Sequence, residues 1–188
     1  MAVRGSMSEL ILRVRDLIGD NPANQANRVW TDQQIQDALD RERTDIAVSD
    51  FRELAGRYST PAGIFTWTDY YDPSGWGDWE ADATVYSGAL VQITPLTSDF
   101  LVGHWTFTNQ PPPVFVKGQT YDVAGAARAI VLRWYALVAT VFDFSVMRGT
   151  SFSVSQKREG LQMLADQLAT EMRVRSAKLV RRDVSGVI

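Results

Sequence analysis

Cysteine is absent from this 188-residue chain. That excludes disulfides, thiolate metal sites and cysteine nucleophiles, and it leaves the redox compartment open. Histidine occurs once, as His104. A multi-histidine metal centre within one chain is therefore excluded, and only His104 could serve as the base of a Ser-His-Asp arrangement. An excess of positive charge is also missing. The formal net charge is −3 and the sequence pI is near 5.2, unlike a dedicated nucleic-acid binder. No hydrophobic run is long. The most apolar stretch, residues 129–142, contains Arg133 and falls short of the roughly 20 residues that span a membrane, so it is expected to be a buried core helix. Arg13 interrupts the first apolar run, Leu10-Ile11-Leu12, so no signal peptide is expected. There is no P-loop, no G-x-G-x-x-G and no G-x-S-x-G elbow.

What remains is ordinary globular composition, 45% hydrophobic and 22% charged. At roughly 150 residues per domain, the length suits one domain, or one with a large insertion. Ser8 is a good N-cap, and Leu10, Ile11, Val14, Leu17 and Ile18 share one face of a helix that Gly19 stops. Asn21-Pro22 breaks the chain. Thr31 and Gln34 then fit a capping box. Ile35, Ala38, Leu39, Glu42 and Ile46 keep helical spacing to about residue 48 or 54.

The character changes near Tyr58. Residues 59–121 are rich in Trp, Tyr, Thr, Val, Gly and Pro. Candidate strands cover 64–70, 84–93, 100–108 and 114–116, with a loop over 72–78 and a turn over 95–99. Only Arg57 and Lys117 stand against Asp69, Asp72, Asp78, Glu80, Asp82 and Asp99, so the segment is an acidic β-rich insert. Asp122 caps a third helix to about Phe142, apolar nearly all round and so expected at the centre of a domain or between subunits. Gly149 lies in a loop. Ser153 and Gln156 form a second capping box, followed by a helix carrying Leu161, Leu164, Leu168 and Met172. The end is basic: Arg173, Arg175, Lys178, Arg181 and Arg182, against Glu171 and Asp183.

Catalysis finds little support. His104 is read as a strand histidine, and the insert carboxylates miss the D-x-[DN]-x-[DN]-G calcium pattern. No catalytic, cofactor or metal residue is assigned, and an enzyme is not expected. Trp67, Tyr70, Tyr71, Trp76 and Trp79 crowd together. Trp67 suits a core. Trp76 and Trp79 sit in a Gly-flanked loop where burial within one chain is hard to arrange, so they are read as contacts with another subunit. The basic tail residues are read as a docking segment that orders on binding.

Two stretches resemble the head–tail connector (adaptor) proteins of tailed bacteriophages. The first is Arg13-Val14-Arg15-Asp16-Leu17-Ile18-Gly19-Asp20 followed by Trp30-Thr31-Asp32-Gln33-Gln34-Ile35, an "R-x-R-x-L-I-x-D" helix and a "W-[ST]-D-x-x-[IL]" helix start. The second is Tyr121-Asp122-Val123-Ala124-Gly125-Ala126-Ala127, then Asp143-Phe144 and Ser151-Phe152-Ser153-Val154-Ser155-Gln156-Lys157, which is similar to a "Y-D-x-x-x-A-A … D-F … S-F-x-x-S-Q-K" ending. The resemblance implies a non-catalytic structural protein of the virion, assembled in the host cytoplasm and located at the head–tail junction. It implies a homo-oligomeric ring, usually a dodecamer, beneath the portal protein. Such a ring extends the DNA channel without binding DNA specifically and seats the next neck or tail protein.

The expected fold is α+β, a four-helix connector-type core with an inserted antiparallel β subdomain. Its parts would be a helical half over 1–57, the β insert over 58–121, a second helical half over 122–175 and an extended tail over 176–188. The alternatives are a head-completion stopper, a tail component, or a virion carbohydrate-binding module acting through the Trp-rich insert.

Overall fold

A computed structural model describes residues 3–20, 28–46, 52–59, 66–75, 77–140, 144–146, 150–152 and 154–173. Within them the chain runs α1 (Ser8–Ile18), α2 (Asp32–Arg41), β1 (Arg43–Ile46), β2 (Arg52–Glu53), β3 (Ala55–Ser59), β4 (Thr66–Tyr71), β5 (Thr84–Ser87), β6 (Gln92–Ile93), β7 (Thr97–Asp99), β8 (His104–Thr106), β9 (Val114–Tyr121), α3 (Val123–Ala139), β10 (Phe144–Val146), β11 (Thr150–Phe152) and α4 (Val154–Glu171).

Local chemistry explains the helix ends. α1 stops at Gly19, whose φ of 68° is the left-handed conformation that glycine adopts without steric cost. Its start differs from expectation: a 3-10 turn over Gly5–Met7 precedes it, Met7 is the cap, and Ser8 lies inside the helix. At α2 the Thr31–Gln34 capping box is complete. At α3 the Asp122 side chain accepts from the Gly125 N–H. The Ser153 cap expected for α4 lies outside the described residues.

All strand pairings are antiparallel. One sheet has the order β1-β9-β5-β6, with β2 also on β9; a second has the order β3-β4-β8-β7; β10 and β11 pair with each other, and the expected Gly149 loop lies outside the described residues. One apolar core gathers Leu10, Ile11, Val14, Ile35, Leu39, Ala127, Ile130 and Leu161 from the four helices, and it takes in Tyr121 from β9. A second core, between the sheets, holds Leu54, Tyr70, Trp79, Val85, Trp105 and Val116.

The broad α+β class stands, but the four-helix connector-type core with a separate β insert does not. The second helix ends at Arg41 and the chain turns at once into β1, where Arg43 to Ile46 pair with Tyr121 to Gly118. β2 and β3 likewise come from the segment read as helix or as the end of the helical half. The expected boundary at residue 58 falls inside β3. The sheets are thus built from both sides of it, and they share a buried tyrosine with the helices. The third helix ends at Ala139, short of Phe142. The short strand expected at 114–116 is the start of the eight-residue β9. The expected turn over 95–99 contains β7.

Candidate functional site

The root of the basic tail sits where helices and sheet meet. Arg173 follows the end of α4. Its backbone N–H donates to Asp122 Oδ2 at 3.0 Å, so one carboxylate both caps α3 and holds the end of α4. The Arg173 guanidinium donates to Thr120 Oγ1 (3.2 Å), Gly77 O (3.0 Å) and Asp78 Oδ2 (3.2 Å). Arg13 on α1 pairs with the same Asp78. Burial pushes the Asp78 carboxyl above its ordinary range, against the pull of the two arginines. Burial also lowers Arg173. Arg13, Asp78, Asp122 and Arg173 line a hollow of about 230 Å³. Arg173 was expected to be a docking residue of a free tail. It is instead an internal strut, because its donors reach Thr120 on β9 and Gly77 and Asp78 in the loop before β5, contacts that a solvated tail would not make. Arg175, Lys178, Arg181 and Arg182 lie outside the described residues.

Trp79 also needs correction. It is 1% exposed. Its ring packs edge-to-face on Trp105, with centroids 5.9 Å apart, and its Nε1–H donates to Asp72 Oδ2 at 3.1 Å. Arg52 lies over the ring and also donates to Asp72. The loop reaches inward because Gly77 adopts φ 58° against the Leu101 carbonyl, where a Cβ would collide at 2.1 Å. The next backbone N–H groups, of Asp78 and Trp79, donate to Leu101 O and Phe100 O. Glycine flanking was read as a bar to burial; here it is the means of burial. Trp76 lies outside the described residues. Trp67 packs at the edge of the same core.

Two further buried networks were not singled out in the sequence. Arg15, 1% exposed, donates to Asp20 Oδ2 (2.8 Å), Trp30 O (2.7 Å) and Asp32 Oδ1 (2.6 Å). Asp20 in turn accepts the N–H groups of Val29 and Trp30. The signal was available: Arg15 falls on the apolar face of α1, among Ile11, Val14 and Ile18, where an arginine needs buried acceptors.

The other network centres on Glu80. It accepts from Ser6 Oγ (2.6 Å), Arg4 Nε (3.0 Å) and the Tyr121 hydroxyl, while Arg4 also reaches Asp40 at 2.6 Å. Burial alone would raise the Glu80 carboxyl, but the hydrogen bonds from Ser6 and Tyr121 and the Arg4 charge outweigh it and hold Glu80 below its usual range. Tyr121 is pushed above its ordinary value, by burial first and the Glu80 bond second. A carboxyl depressed in the fold adds stability above its unfolded value, about 4.3, and loses that contribution as pH falls through its lower folded value. The Glu80→Gln variant is therefore expected to show a shallower loss of stability than the parent between about pH 4.3 and pH 2. Urea titrations across that range check this, and parallel acid slopes for the two proteins would refute it.

His104 Nε2 lies 3.1 Å from Asp69 Oδ1, and the imidazole stacks on Tyr71 at 4.3 Å. Both members of the His–Asp pair are part-exposed strand residues. Thr68 Oγ1 donates to the other Asp69 oxygen, which holds the carboxylate below its ordinary range together with His104. Among the described residues, no group of three or more His, Asp or Glu side chains could hold a metal ion, and no helix is long and apolar enough to cross a membrane.

The surface features that suit a partner lie elsewhere. The first half of α3 is buried, but Leu137 in its second half is 63% exposed, and Met163 on α4 is 73% exposed. Tyr135, Ser155, Arg158, Glu159, Gln162 and Met163 line a groove of about 440 Å³ there. No family model, curated protein or solved structure matches this chain.

Proposed function

We propose that this chain is a head–tail connector (adaptor) subunit of a tailed phage. It would form a homo-oligomeric ring under the portal protein at the head–tail junction of the virion. The ring would extend the DNA channel and seat the next neck or tail protein. The observation that carries the reading is the interlocking of the residues behind the resemblance. Arg15, Asp20, Trp30 and Asp32 belong to the two quoted helix motifs, and they bond directly to one another. The spacing of the motifs is thus a physical unit that ties α1 to the start of α2. Leu137 and Met163 are exposed apolar side chains of the kind that a neighbouring subunit would cover. The net charge of −3 suits a channel along which DNA slides without sticking.

The role is structural in this reading, with no catalytic step. Arg175, Lys178, Arg181 and Arg182 are the docking residues, and Arg173 ties the end of α4 to Asp122, Thr120, Gly77 and Asp78. The carbohydrate-binding alternative loses one of its two tryptophans, because Trp79 is buried.

Deleting the residues after Ala177 tests the docking role. The shortened chain keeps Arg173 and is expected to remain folded by circular dichroism, yet to lose co-sedimentation with a portal ring. Undiminished co-sedimentation would place docking elsewhere on the body. Order of addition separates the neighbouring roles: an adaptor binds the portal directly, whereas a stopper requires the adaptor first.

A further inference from the structure

The second sheet has two open edges. β3 and β7 end the order β3-β4-β8-β7, so among the described residues each pairs on one side alone. Such an edge presents backbone N–H and C=O groups that can pair with a further strand. Natural edges are commonly guarded by proline or lysine. Neither residue occurs in β3 (Ala55–Ser59) or β7 (Thr97–Asp99). Leu96 and Val102, at the two ends of β7, are exposed apolar side chains.

The register shows what each edge offers. Arg57, Asp69, Thr106 and Thr97 stand opposite one another across the four strands, and so do Ala55, Tyr71, His104 and Asp99. Both rows lie on the outward face, because the row between them carries the buried Tyr70 and Trp105 rings. One edge thus presents exposed Arg57 and the other exposed Asp99, on the same face. Arg57 lies over the Tyr71 ring, and Asp99 accepts the Val102 N–H, so each charge is held at its edge.

Strand direction fits as well. All pairings in this sheet are antiparallel, so β3 and β7 point in opposite directions. A second copy in the same orientation sets its β3 antiparallel to β7, like every other pairing in the sheet. β3 keeps a regular register over Ala55–Arg57, up to the shift before Tyr58, which matches the three residues of β7. Charge selects the combination. Joining β3 to β3, or β7 to β7, puts like charges on both sides of the joint. Joining unlike edges makes Asp99 the diagonal neighbour of Arg57 when the rows run on unbroken, within reach of a long side chain.

We infer that the β7 edge of one copy pairs with the β3 edge of the next, through residues 97–99 and 55–57, so that the second sheet runs on from subunit to subunit. The two edges are different surfaces, so the contact is heterologous. It propagates and closes into a ring if the rotation allows. The inference rests on the proposed ring-forming role and names the edges that would form the ring.

Charge reversal tests the pairing by analytical ultracentrifugation of the full chain, at up to about 1 mM protein. The parent is expected to self-associate as its concentration rises. Arg57→Asp and Asp99→Arg should each weaken that association at least roughly tenfold, because each sets like charges across the joint. An equimolar mixture of the two variants should recover it, because every joint between unlike variants again brings an arginine to an aspartate. A chain carrying both substitutions should recover it too. Asp99 also holds the Val102 N–H, so Thr97→Arg is a second probe that sets a like charge against Arg57 and leaves Asp99 in place. Circular dichroism checks that each variant is folded. A parent that stays monomeric to the highest concentration, folded single reversals that associate like the parent, or a mixture no stronger than its parts overturns the assignment. Portal co-sedimentation separates the two claims. Portal binding by a parent that fails these tests removes the edge assignment alone. Edge pairing without portal binding keeps the contact and removes the adaptor role.

Discussion

Arg15→Ala is expected to destabilise the protein by about 3–5 kcal/mol, the cost of breaking a buried charge pair by removing one partner. Arg15 and Asp20 are 1% and 2% exposed at their side chains, and their atoms lie 2.8 Å apart. Without the guanidinium, Asp20 keeps two backbone N–H donors but loses its counter-charge. The Trp30 carbonyl, now inside the fold, loses a donor as well. Arg15→Lys should recover only part of the loss, because one ammonium cannot reach Asp20, Trp30 and Asp32 in a fixed fork. The total stability of a domain is about 5–15 kcal/mol, so the alanine variant should lose a large fraction of it. Urea denaturation measures the change directly, and a loss below about 1 kcal/mol, the range of exposed pairs, would show that the network is not structural.

The second large effect is Trp79→Ala, at about 3–5 kcal/mol for an aromatic removed from a packed core. The substitution opens a cavity beside Trp105 and removes the indole donor from buried Asp72. Trp79→Phe keeps most of the volume and should cost less, mainly the hydrogen bond, about 1–2 kcal/mol. The two variants separate packing from bonding. A Trp79 that served only to touch a partner would leave the thermal midpoint of the isolated chain unchanged on substitution, so an unshifted midpoint for Trp79→Ala contradicts its placement in the core.

Local signals carried three of the helix ends. Gly19 ends α1, the Thr31–Gln34 box opens α2, and Asp122 opens α3, because each depends on residues within three or four positions. The strand after Arg41 was not legible for the converse reason. Glu42, Ala38 and Ile46 continue a helical spacing, and what makes Arg43–Ile46 a strand is pairing with Gly118–Tyr121, far away in sequence. Tertiary pairing overrode propensity there. Trp79 and Arg173 failed in the same way. Their surroundings looked exposed in the chain, yet Trp79 packs on Trp105 and Arg173 reaches Thr120, Gly77 and Asp78. The acidic count of the insert was also misleading. Asp72, Asp78 and Glu80 are not a solvated face but the acceptors of Arg52, Arg13, Arg173 and Arg4. Composition records charges, and only the fold records which of them are paired.

The most direct measurement for the connector reading is the native mass of the full chain mixed with a portal ring. The account predicts a discrete complex with one copy of this chain for each portal subunit, formed at low and moderate salt without any third protein. A portal ring that keeps its own mass across that salt range, while the chain stays free, would contradict it.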